Sequence, residues 1–346
     1  RAALMTGRNP IRLGVAYAVI LPWDTNGIHP DEYFLPEAFL EAGYQTAMVG
    51  KWHLGHAQQT YHPNERGFEH FYGHLHTEVG YFSPFSNQGG TDFQRNGVTI
   101  DDEGYETFLL GDEASRYIRK RDKDKPFFLY LSHYAPHSIL NGRPDLVDKY
   151  RKKHPPGPSD RKNCYLCQDA GLDADACTHW APNHNPHLAA MLESIDDGIG
   201  LLAKKLDELG LAENTIFIFS SDNGGETKVT SNAPLRGGKS QLYEGGIRVP
   251  LIVRWPKGKV PAGKVCSQPV VNHDFYPTLL EAAGIEPDPA QTLDGVSTLA
   301  TWKNPMVAPK RKALHWHYPL DRPHFLGGVS GGAIREDNWK LIEYFD

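Results

Sequence analysis

Residues 43–55, GYQTAMVGKWHLG, join a short apolar segment to a polar loop that carries a lysine and a histidine. Thr46–Val49 predicts a strand, and Leu35–Gly43 before it predicts a helix that ends at its glycine. Further strands are predicted at Pro126–Ser132, Thr215–Ser220 and Leu251–Trp255, and further helices at Glu113–Arg121, His187–Leu209 and Phe275–Ala283. Helices that alternate with short apolar strands indicate an α/β fold with a mostly parallel central sheet flanked by helices. The tail, Gly332–Phe345, alternates as an antiparallel strand pair does.

The composition limits the possible partners. The 346 residues include 36 lysines and arginines against 42 aspartates and glutamates, a net charge of −6. No basic excess therefore indicates a nucleic-acid partner. No run of about 18 apolar residues is present, so no membrane span is predicted. An anionic substrate has to be held by local positive charge rather than by the field of the whole protein.

Polar side chains follow three of the predicted strands. Lys51 and His53 come after the first strand, and the apolar Trp52 and Leu54 beside them are expected to point into the core. His137 follows the strand at 126–132, and Asp222-Asn223 follows the strand at 215–220. Ligands bind at the carboxyl edge of the strands in open α/β sheets, so we expect these residues at one rim. Carboxylate and amide oxygens suit Ca²⁺ or Mg²⁺, and a lysine suits an oxyanion.

Each of these residues also has a simpler interpretation. Asp222-Asn223-Gly224-Gly225 is a sequence typical of a tight turn. Lys51 is equally well interpreted as a solvated surface lysine, and His53 as a hydrogen-bonded loop histidine. His133 competes with His137 as the histidine of the rim and is more simply a structural hydrogen-bonding residue. Lys239 lies in a glycine-rich loop and either contacts a bound anion or is simply solvated. Arg236 in the same loop is a weaker candidate for binding an anion.

Three of the four cysteines lie close together in a segment rich in proline and histidine. Residues 155–186 show neither helical nor strand periodicity and are interpreted as an inserted surface loop. Cys164, Cys167 and Cys177 lie within this loop, with His179 nearby. They fit a small zinc knuckle or one disulfide with a spare thiol, and the spacing leaves both open.

Seven segments, in order, resemble the type I sulfatases of the alkaline phosphatase superfamily. They are RAALMTGR at 1–8, GYQTAMVGKWHLG at 43–55, RGF at 66–68, YAPHS at 134–138, IFIFSSDNGG at 216–225, LRGGK at 235–239 and YEGGIRVPLIVRWP at 243–256. The resemblance implies an alkaline-phosphatase-like catalytic domain at 1–300 and the start of an antiparallel C-terminal subdomain at 301–346. In that family a Cys-X-Pro-Ser motif precedes the arginine that Arg1 matches, and its cysteine becomes formylglycine. The resemblance therefore implies that this chain is a fragment that lacks the nucleophile, and that it is inactive alone.

The resemblance also implies roles for the matching residues. Asp222 and Asn223 would bind Ca²⁺, with Mg²⁺ as an alternative. Arg1 and Lys51 would hold the formylglycine hydrate, and His53 would accept its proton. His137 and Lys239 would bind the sulfate and protonate the leaving alcohol, with His137 rather than His133 expected to be the acid.

The implied substrate is a sulfated carbohydrate, and the implied location is outside the cytosol: periplasmic, extracellular or lysosomal. The loop at 74–85 is polar and aromatic, so His76 and Glu78, together with Arg236, are expected to contact the sugar. Two other functions fit the same residues: hydrolysis of phosphonate or phosphate esters by the same superfamily, and sulfated-glycan binding without catalysis.

Overall fold

The computed structural model describes residues 1–15, 19–82, 86, 90–153 and 185–345. The predicted loop at 155–186, with Cys164, Cys167 and Cys177, lies outside the described residues except at its end. Pro186 does not belong to a loop, since it is the first residue of a long helix whose N-cap Asn185 accepts hydrogen bonds from the nitrogens of His187 and Leu188. Proline is favoured at this position because its missing N–H has no partner in the first turn of a helix.

The main sheet is mixed and has five strands in the order β4-β3-β2-β1-β5. The strands are β1 Gln45–Lys51, β2 His70–His74, β3 Gln94–Arg95, β4 Val98–Thr99 and β5 Phe127–Ser132. Strand β1 lies between β2 and β5 and is parallel to both, whereas β3 is antiparallel to its neighbours β2 and β4. The register places Lys51 opposite His74 and Gly50 opposite Ser132, so the lysine stands at the carboxyl edge of the parallel strands.

Helices pack on both faces of this sheet. The α-helices of the described residues are α1 Ala2–Thr6, α2 Leu35–Glu41, α3 Glu106–Lys120, α4 Pro144–Lys153, α5 Pro186–Glu208, α6 Glu244–Ile247, α7 Phe275–Ala283 and α8 Leu299–Lys303. On one face α3 and α5 pack against β1, through a core that includes Val49, Leu110 and Leu202. On the other face α2 and α7 pack around Phe39 and Leu280. Burial on both faces accounts for the apolar run of β1, and the predicted α/β fold class is confirmed.

Two smaller sheets complete the fold. Strands β6 Phe217–Ser220 and β7 Leu251–Arg254 form an antiparallel pair. Strands β8 Ala313–Tyr318, β9 Gly331–Glu336 and β10 Trp339–Tyr344 form an antiparallel C-terminal sheet. The C-terminal sheet therefore contains a third strand, β8, in addition to the predicted pair. The sequence pattern did not predict β8, because its partner strand lies farther along the chain.

Some predicted elements differ from the observed ones. The helix predicted at Glu113–Arg121 begins a full two turns earlier, at Glu106. The apolar strand predicted at 251–255 is not fully buried, since it belongs to a two-stranded sheet in which Ile252 is 62% exposed. Strand β2 was not predicted, since Gly73 interrupts its apolar pattern. A side chain at Gly73 would lie 2.1 Å from the carbonyl oxygen of Gly50, so glycine permits the close approach of β1 and β2 beside Lys51.

Among the described residues, no helix is both long enough and apolar enough to span a membrane.

Candidate active site

Arg1 connects the ends of three strands. Its Nη1 donates to Asp222 Oδ2 at 3.2 Å, its Nε to the carbonyl oxygen of Lys51 at 3.3 Å, and its Nη2 to Ser132 Oγ at 3.3 Å. Lys51 ends β1, Ser132 ends β5, and Asp222 lies just after β6. One guanidinium therefore contacts three segments that are distant in sequence, the farthest of them 221 residues from Arg1.

Lys51 is a buried cation with only 5% of its surface exposed. Its Nζ lies 5.4 Å from the centre of the Tyr134 ring, within the range of a cation–π contact. Burial and the neighbouring charge of Arg1 lower the pKa of Lys51 to about 7, and Asp222 opposes the shift. A negative charge placed beside Lys51 would favour the protonated form of the lysine.

His53 has one ring nitrogen fixed by the backbone. Its Nε2 lies 2.9 Å from the carbonyl oxygen of Ile20. Since a carbonyl oxygen only accepts, Nε2 carries the proton and Nδ1 has a lone pair. Burial and the charges of Lys51 and Arg1 hold the pKa of His53 well below its usual range. Its backbone has a φ of 59°, so this residue adopts a left-handed conformation immediately after Trp52.

His137 and Lys239 form a pair. Lys239 Nζ lies 3.0 Å from His137 Nε2, and His137 Nδ1 contacts the carbonyl oxygen of Ser138. The carbonyl requires a proton on Nδ1, which leaves the Nε2 lone pair facing the ammonium group. Burial, Lys239 and Lys51 lower the pKa of His137 to about 3. At neutral pH the transferable proton of the pair therefore belongs to Lys239.

Two tyrosines and a buried glutamate support this pair. The Tyr134 ring stacks 5.3 Å from the His137 ring, and the Tyr81 ring stacks 4.9 Å from Tyr134. The Tyr81 hydroxyl donates to the carbonyl oxygen of His137 at 2.9 Å. Ser138 Oγ donates to Glu226 at 2.6 Å. Sequence reasoning missed Tyr134, Tyr81 and Glu226, although Tyr134 belongs to the YAPHS segment and its aromatic character was the available signal.

Asp222 and Asn223 provide two hard oxygen donors at the edge of an open groove. The Asn223 amide nitrogen donates to the carbonyl oxygen of Gly224 at 3.0 Å, so the amide oxygen is the atom of this side chain that can bind a cation. Burial raises the pKa of Asp222, but Arg1, Lys51 and Lys239 outweigh it and the pKa is lowered overall. The side chain of Asp222 is 53% exposed. An ionised, accessible carboxylate beside an amide oxygen fits a Ca²⁺ or Mg²⁺ ion.

The turn predicted at 222–225 appears as a bend at Asp222 and Asn223. The glycine that follows packs closely against a second loop. Gly224 N donates to the carbonyl oxygen of Gly246 at 2.9 Å, and a side chain at Gly224 would lie 1.7 Å from the carbonyl oxygen of Gly245. The described residues contain no group of three or more histidine, cysteine or acidic side chains arranged to hold a metal.

Comparison with known proteins places this site in a family. The family model described as Sulfatase matches residues 1–285, and that of the N-sulphoglucosamine sulphohydrolase C-terminal region matches residues 238–346. The first match covers most of the chain and contains every residue of the site described so far. The chain belongs to the sulfatase family.

Individual sulfatases are similar over most of the chain. Arylsulfatase J of Mus musculus is 31% identical over 361 residues, which cover 99% of this chain and 56% of that protein. N-acetylgalactosamine-6-sulfatase of Homo sapiens is 32% identical over 327 residues, 87% of this chain and 55% of that protein. The chain thus spans about half the length of these relatives. The crystal structure of Ps i-CgsB in complex with k-i-k-neocarrahexaose is 31% identical with a TM-score of 0.80, over 99% of this chain and 72% of that one.

The residues expected to contact the sugar in this sulfatase-family chain occupy different places. Glu78 Oε1 lies 3.9 Å from His137 Nδ1, so Glu78 borders the site. The His76 ring lies 4.3 Å from that of His56 and its Nδ1 is 3.8 Å from Asp92. Arg236 lies 4.0 Å over the ring of Tyr243. The structure therefore brings Glu78 to the catalytic candidates, whereas His76 and Arg236 pack in neighbouring clusters.

His133, the rival of His137, makes no hydrogen bond through its ring to any described residue of the site. Burial lowers the pKa of His133 to about 4. Both ring nitrogens of His133 are buried and have no hydrogen-bond partner among the described residues. The interpretation of His133 as a structural hydrogen-bonding residue is therefore not supported by these residues.

Proposed function

We propose that the protein hydrolyses sulfate monoesters of carbohydrates. The observation that supports this most directly is the convergence of Arg1, Lys51 and Lys239 on the groove edge where Asp222 lies. A sulfate ester spreads negative charge over three oxygens, and in the transition state charge moves onto the leaving oxygen. Fixed cations around the sulfate and a proton donor beside the leaving oxygen are what this reaction needs.

The metal and the nucleophile complete the proposal. Asp222 and Asn223 would hold Ca²⁺, and Mg²⁺ suits the same donors. When bound, this ion supplies positive charge that offsets the charge of the sulfate oxygens. The attacking group in this proposal is a formylglycine made from a residue that precedes Arg1 in a longer protein, as the family resemblance implies.

The residues of this chain have distinct tasks. Arg1 orients Asp222 through its guanidinium and offers its remaining donors to an oxyanion. Lys51 is held by Tyr134 at the end of β1 and binds the anion as a buried point charge. His53, protonated at Nε2, accepts a proton at Nδ1. Lys239 donates a proton toward the leaving oxygen, and His137 holds the lysine in place by accepting its hydrogen bond.

The proposed substrate class follows from relatives rather than from the site alone. A similar protein is named for N-acetylgalactosamine 6-sulfate, and another was solved with a neocarrahexaose. We therefore include a sulfated glycan in the proposal, together with a location outside the cytosol, where such polymers occur.

The test is release of sulfate by the longer protein, with formylglycine verified by mass spectrometry. N-acetylgalactosamine 6-sulfate, sulfated carrageenan oligosaccharides and 4-nitrophenyl sulfate are the substrates. 4-Nitrophenyl phosphate and a phenylphosphonate ester are the comparison. Sulfate release that exceeds phosphate and phosphonate turnover is the expected result. Faster turnover of the phosphorus esters would assign the protein to ester hydrolysis at phosphorus. Binding of sulfated glycans without any turnover would contradict the enzymatic proposal.

A further inference from the structure

An exposed aromatic residue projects from the loop between β8 and β9. Phe325 is 64% exposed, and its ring stacks 4.5 Å from that of His324. Lys228 Nζ, from a different loop, lies 5.2 Å from the centre of the Phe325 ring. We call Lys228, His324 and Phe325 the Phe325 cluster. An exposed aromatic ring next to a lysine offers apolar surface and positive charge at one place.

The Phe325 cluster is joined to the loop that carries Lys239. Gln241 Nε2 donates to the carbonyl oxygen of Leu326 at 3.3 Å, and Gln241 Oε1 accepts from Gly238 N at 3.1 Å. The nitrogen of Lys239 in turn donates to the carbonyl oxygen of Gly225 at 3.0 Å. These contacts fix the position of Phe325 relative to the proposed proton donor.

One open groove connects the two places. Its volume is about 2220 Å³, and its lining includes Asp222, Lys239, Arg322, His324 and Phe325. The groove is far larger than one sulfated sugar unit needs, since pockets for small ligands are typically about 300–1,000 Å³. A chain of several sugar units that begins at Asp222 and Lys239 therefore has room to pass Phe325.

The charged side chains around the Phe325 cluster are mainly positive. Lys228, Arg322 and Lys239 are cations, whereas burial and the charges of Lys239 and Lys228 lower the pKa of His324, with Glu226 opposing. The acidic group whose charge acts on His324 is Glu226, and Asp321 lines the same groove. Glu226 is buried, accepts a hydrogen bond from Ser138 Oγ and does not line the groove. An anionic sugar unit is favoured here over a neutral one.

We propose that the Phe325 cluster is a subsite for a second anionic sugar unit, next to the unit that carries the ester to be cleaved. This inference rests on the proposed function for the identity of the first unit. The hydrocarbon face of the second sugar packs against Phe325, and its sulfate or carboxylate lies beside Lys228. The protein accordingly selects oligomers of sulfated sugars over sulfated monosaccharides.

The experiment compares binding of matched pairs of ligands. A chondroitin 6-sulfate tetrasaccharide is paired with N-acetylgalactosamine 6-sulfate, and a sulfated carrageenan tetrasaccharide with galactose 4-sulfate. Dissociation constants are measured by calorimetry in buffer that contains Ca²⁺, and KM replaces them where sulfate is released. We expect at least one tetrasaccharide to bind about tenfold tighter than its monosaccharide. Phe325→Ala and Lys228→Gln should each weaken tetrasaccharide binding by about 3- to 10-fold and leave monosaccharide binding unchanged.

Trp339 provides the matched control, because it is an aromatic residue on β10 that is 84% exposed and does not line the groove. Trp339→Ala should leave every dissociation constant unchanged. Equal binding of monosaccharides and tetrasaccharides by the unaltered protein would overturn the subsite. So would variants at Phe325 and Lys228 that weaken both ligand classes alike or neither. If the preference for tetrasaccharides holds while no sulfated sugar is hydrolysed, the subsite stands and the proposed function fails.

Discussion

Lys239 Nζ lies 3.0 Å from His137 Nε2, while the other ring nitrogen of His137 faces the carbonyl oxygen of Ser138. This arrangement assigns the tautomer, because a carbonyl oxygen demands a donor and an ammonium group demands an acceptor. His137 is thus a neutral acceptor, and Lys239 is the group that has a proton to give. From the family resemblance alone His137 was the expected acid, and the geometry now favours Lys239.

The identity of the acid can be tested with two leaving groups. Lys239→Ala should lose about 10²- to 10⁴-fold in kcat/KM on an alkyl sulfate and far less on 4-nitrophenyl sulfate, since the nitrophenolate needs no proton. His137→Ala should reduce both rates by similar factors, because it removes a positioning contact. The measurement is sulfate release from both esters. A larger loss on the alkyl sulfate for His137→Ala than for Lys239→Ala would restore His137 as the acid.

The metal donors can be tested with a matched pair of acidic residues. Asp222→Ala should abolish measurable Ca²⁺ binding and reduce turnover by at least about 10²-fold, because it removes a charged ligand at the groove edge. Thermal stability should change little, since the side chain is half exposed. Asp321→Ala, in an exposed residue of the same groove, should retain Ca²⁺ binding. Calorimetric titration with Ca²⁺ measures the affinity of each variant. Unchanged Ca²⁺ affinity in Asp222→Ala would show that Asp222 is a turn residue and not a metal ligand.

Tyr134 should be needed for its ring more than for its hydroxyl group. The ring contacts Lys51 and His137, whereas the hydroxyl donates to the carbonyl oxygen of Ser138 at 3.2 Å. Tyr134→Leu should lose about 10- to 100-fold in kcat/KM, since one misplaced cation has an effect of this order. Tyr134→Phe should lose only a few-fold. Equal losses in the two variants, measured with the same aryl sulfate, would show that the hydroxyl group is the important part.

A buried ion network should make stability depend on pH. Glu113 Oε1 contacts His70 Nε2 at 2.7 Å and Arg116 Nη2 at 2.6 Å. Burial raises the pKa of Glu113, but hydrogen bonds from His70 and Arg116 outweigh it and lower the pKa to about 2. A depressed pKa in the folded state adds stability at pH values above the unfolded pKa of about 4.3, and this stability is lost as the pH falls toward 2.

The corresponding variant is Glu113→Gln. We expect it to lower the free energy of unfolding by about 2 kcal/mol at pH 7, with a difference that shrinks as the pH falls from 4.5 to 3. Urea unfolding at several pH values measures this difference. Glu103→Gln, in an exposed residue just before α3, is the control and should have little effect at any pH. A difference that stays constant between pH 7 and pH 3 would show that the loss has another cause.

The hydrophobic pattern of the sequence predicted those helices and strands whose own residues show a clear periodicity. The helix at Phe275–Ala283 has the observed bounds, and the strand at 46–49 lies within β1. The pattern missed several short elements, among them the strands β2 and β8. Each depends on a partner that is distant in sequence. A glycine is needed at position 73 because a side chain there would collide with the carbonyl oxygen of Gly50 in β1, and β8 pairs with β9 across a long loop. A local pattern contains no information about such partners.

The amino-acid sequence by itself determined the chemistry that is possible: a lysine and histidine after one strand, an aspartate and asparagine after another, and the family that these segments resemble. The tertiary structure decided which groups meet and how each is protonated. Arg1 reaches Asp222 only because the ends of β1, β5 and β6 converge, and the Ser138 carbonyl decides which nitrogen of His137 has a proton. Burial then sets the pKa of Lys51 near 7. The physical reason is that a pKa and a hydrogen-bond partner depend on the surrounding atoms, most of which are distant along the chain.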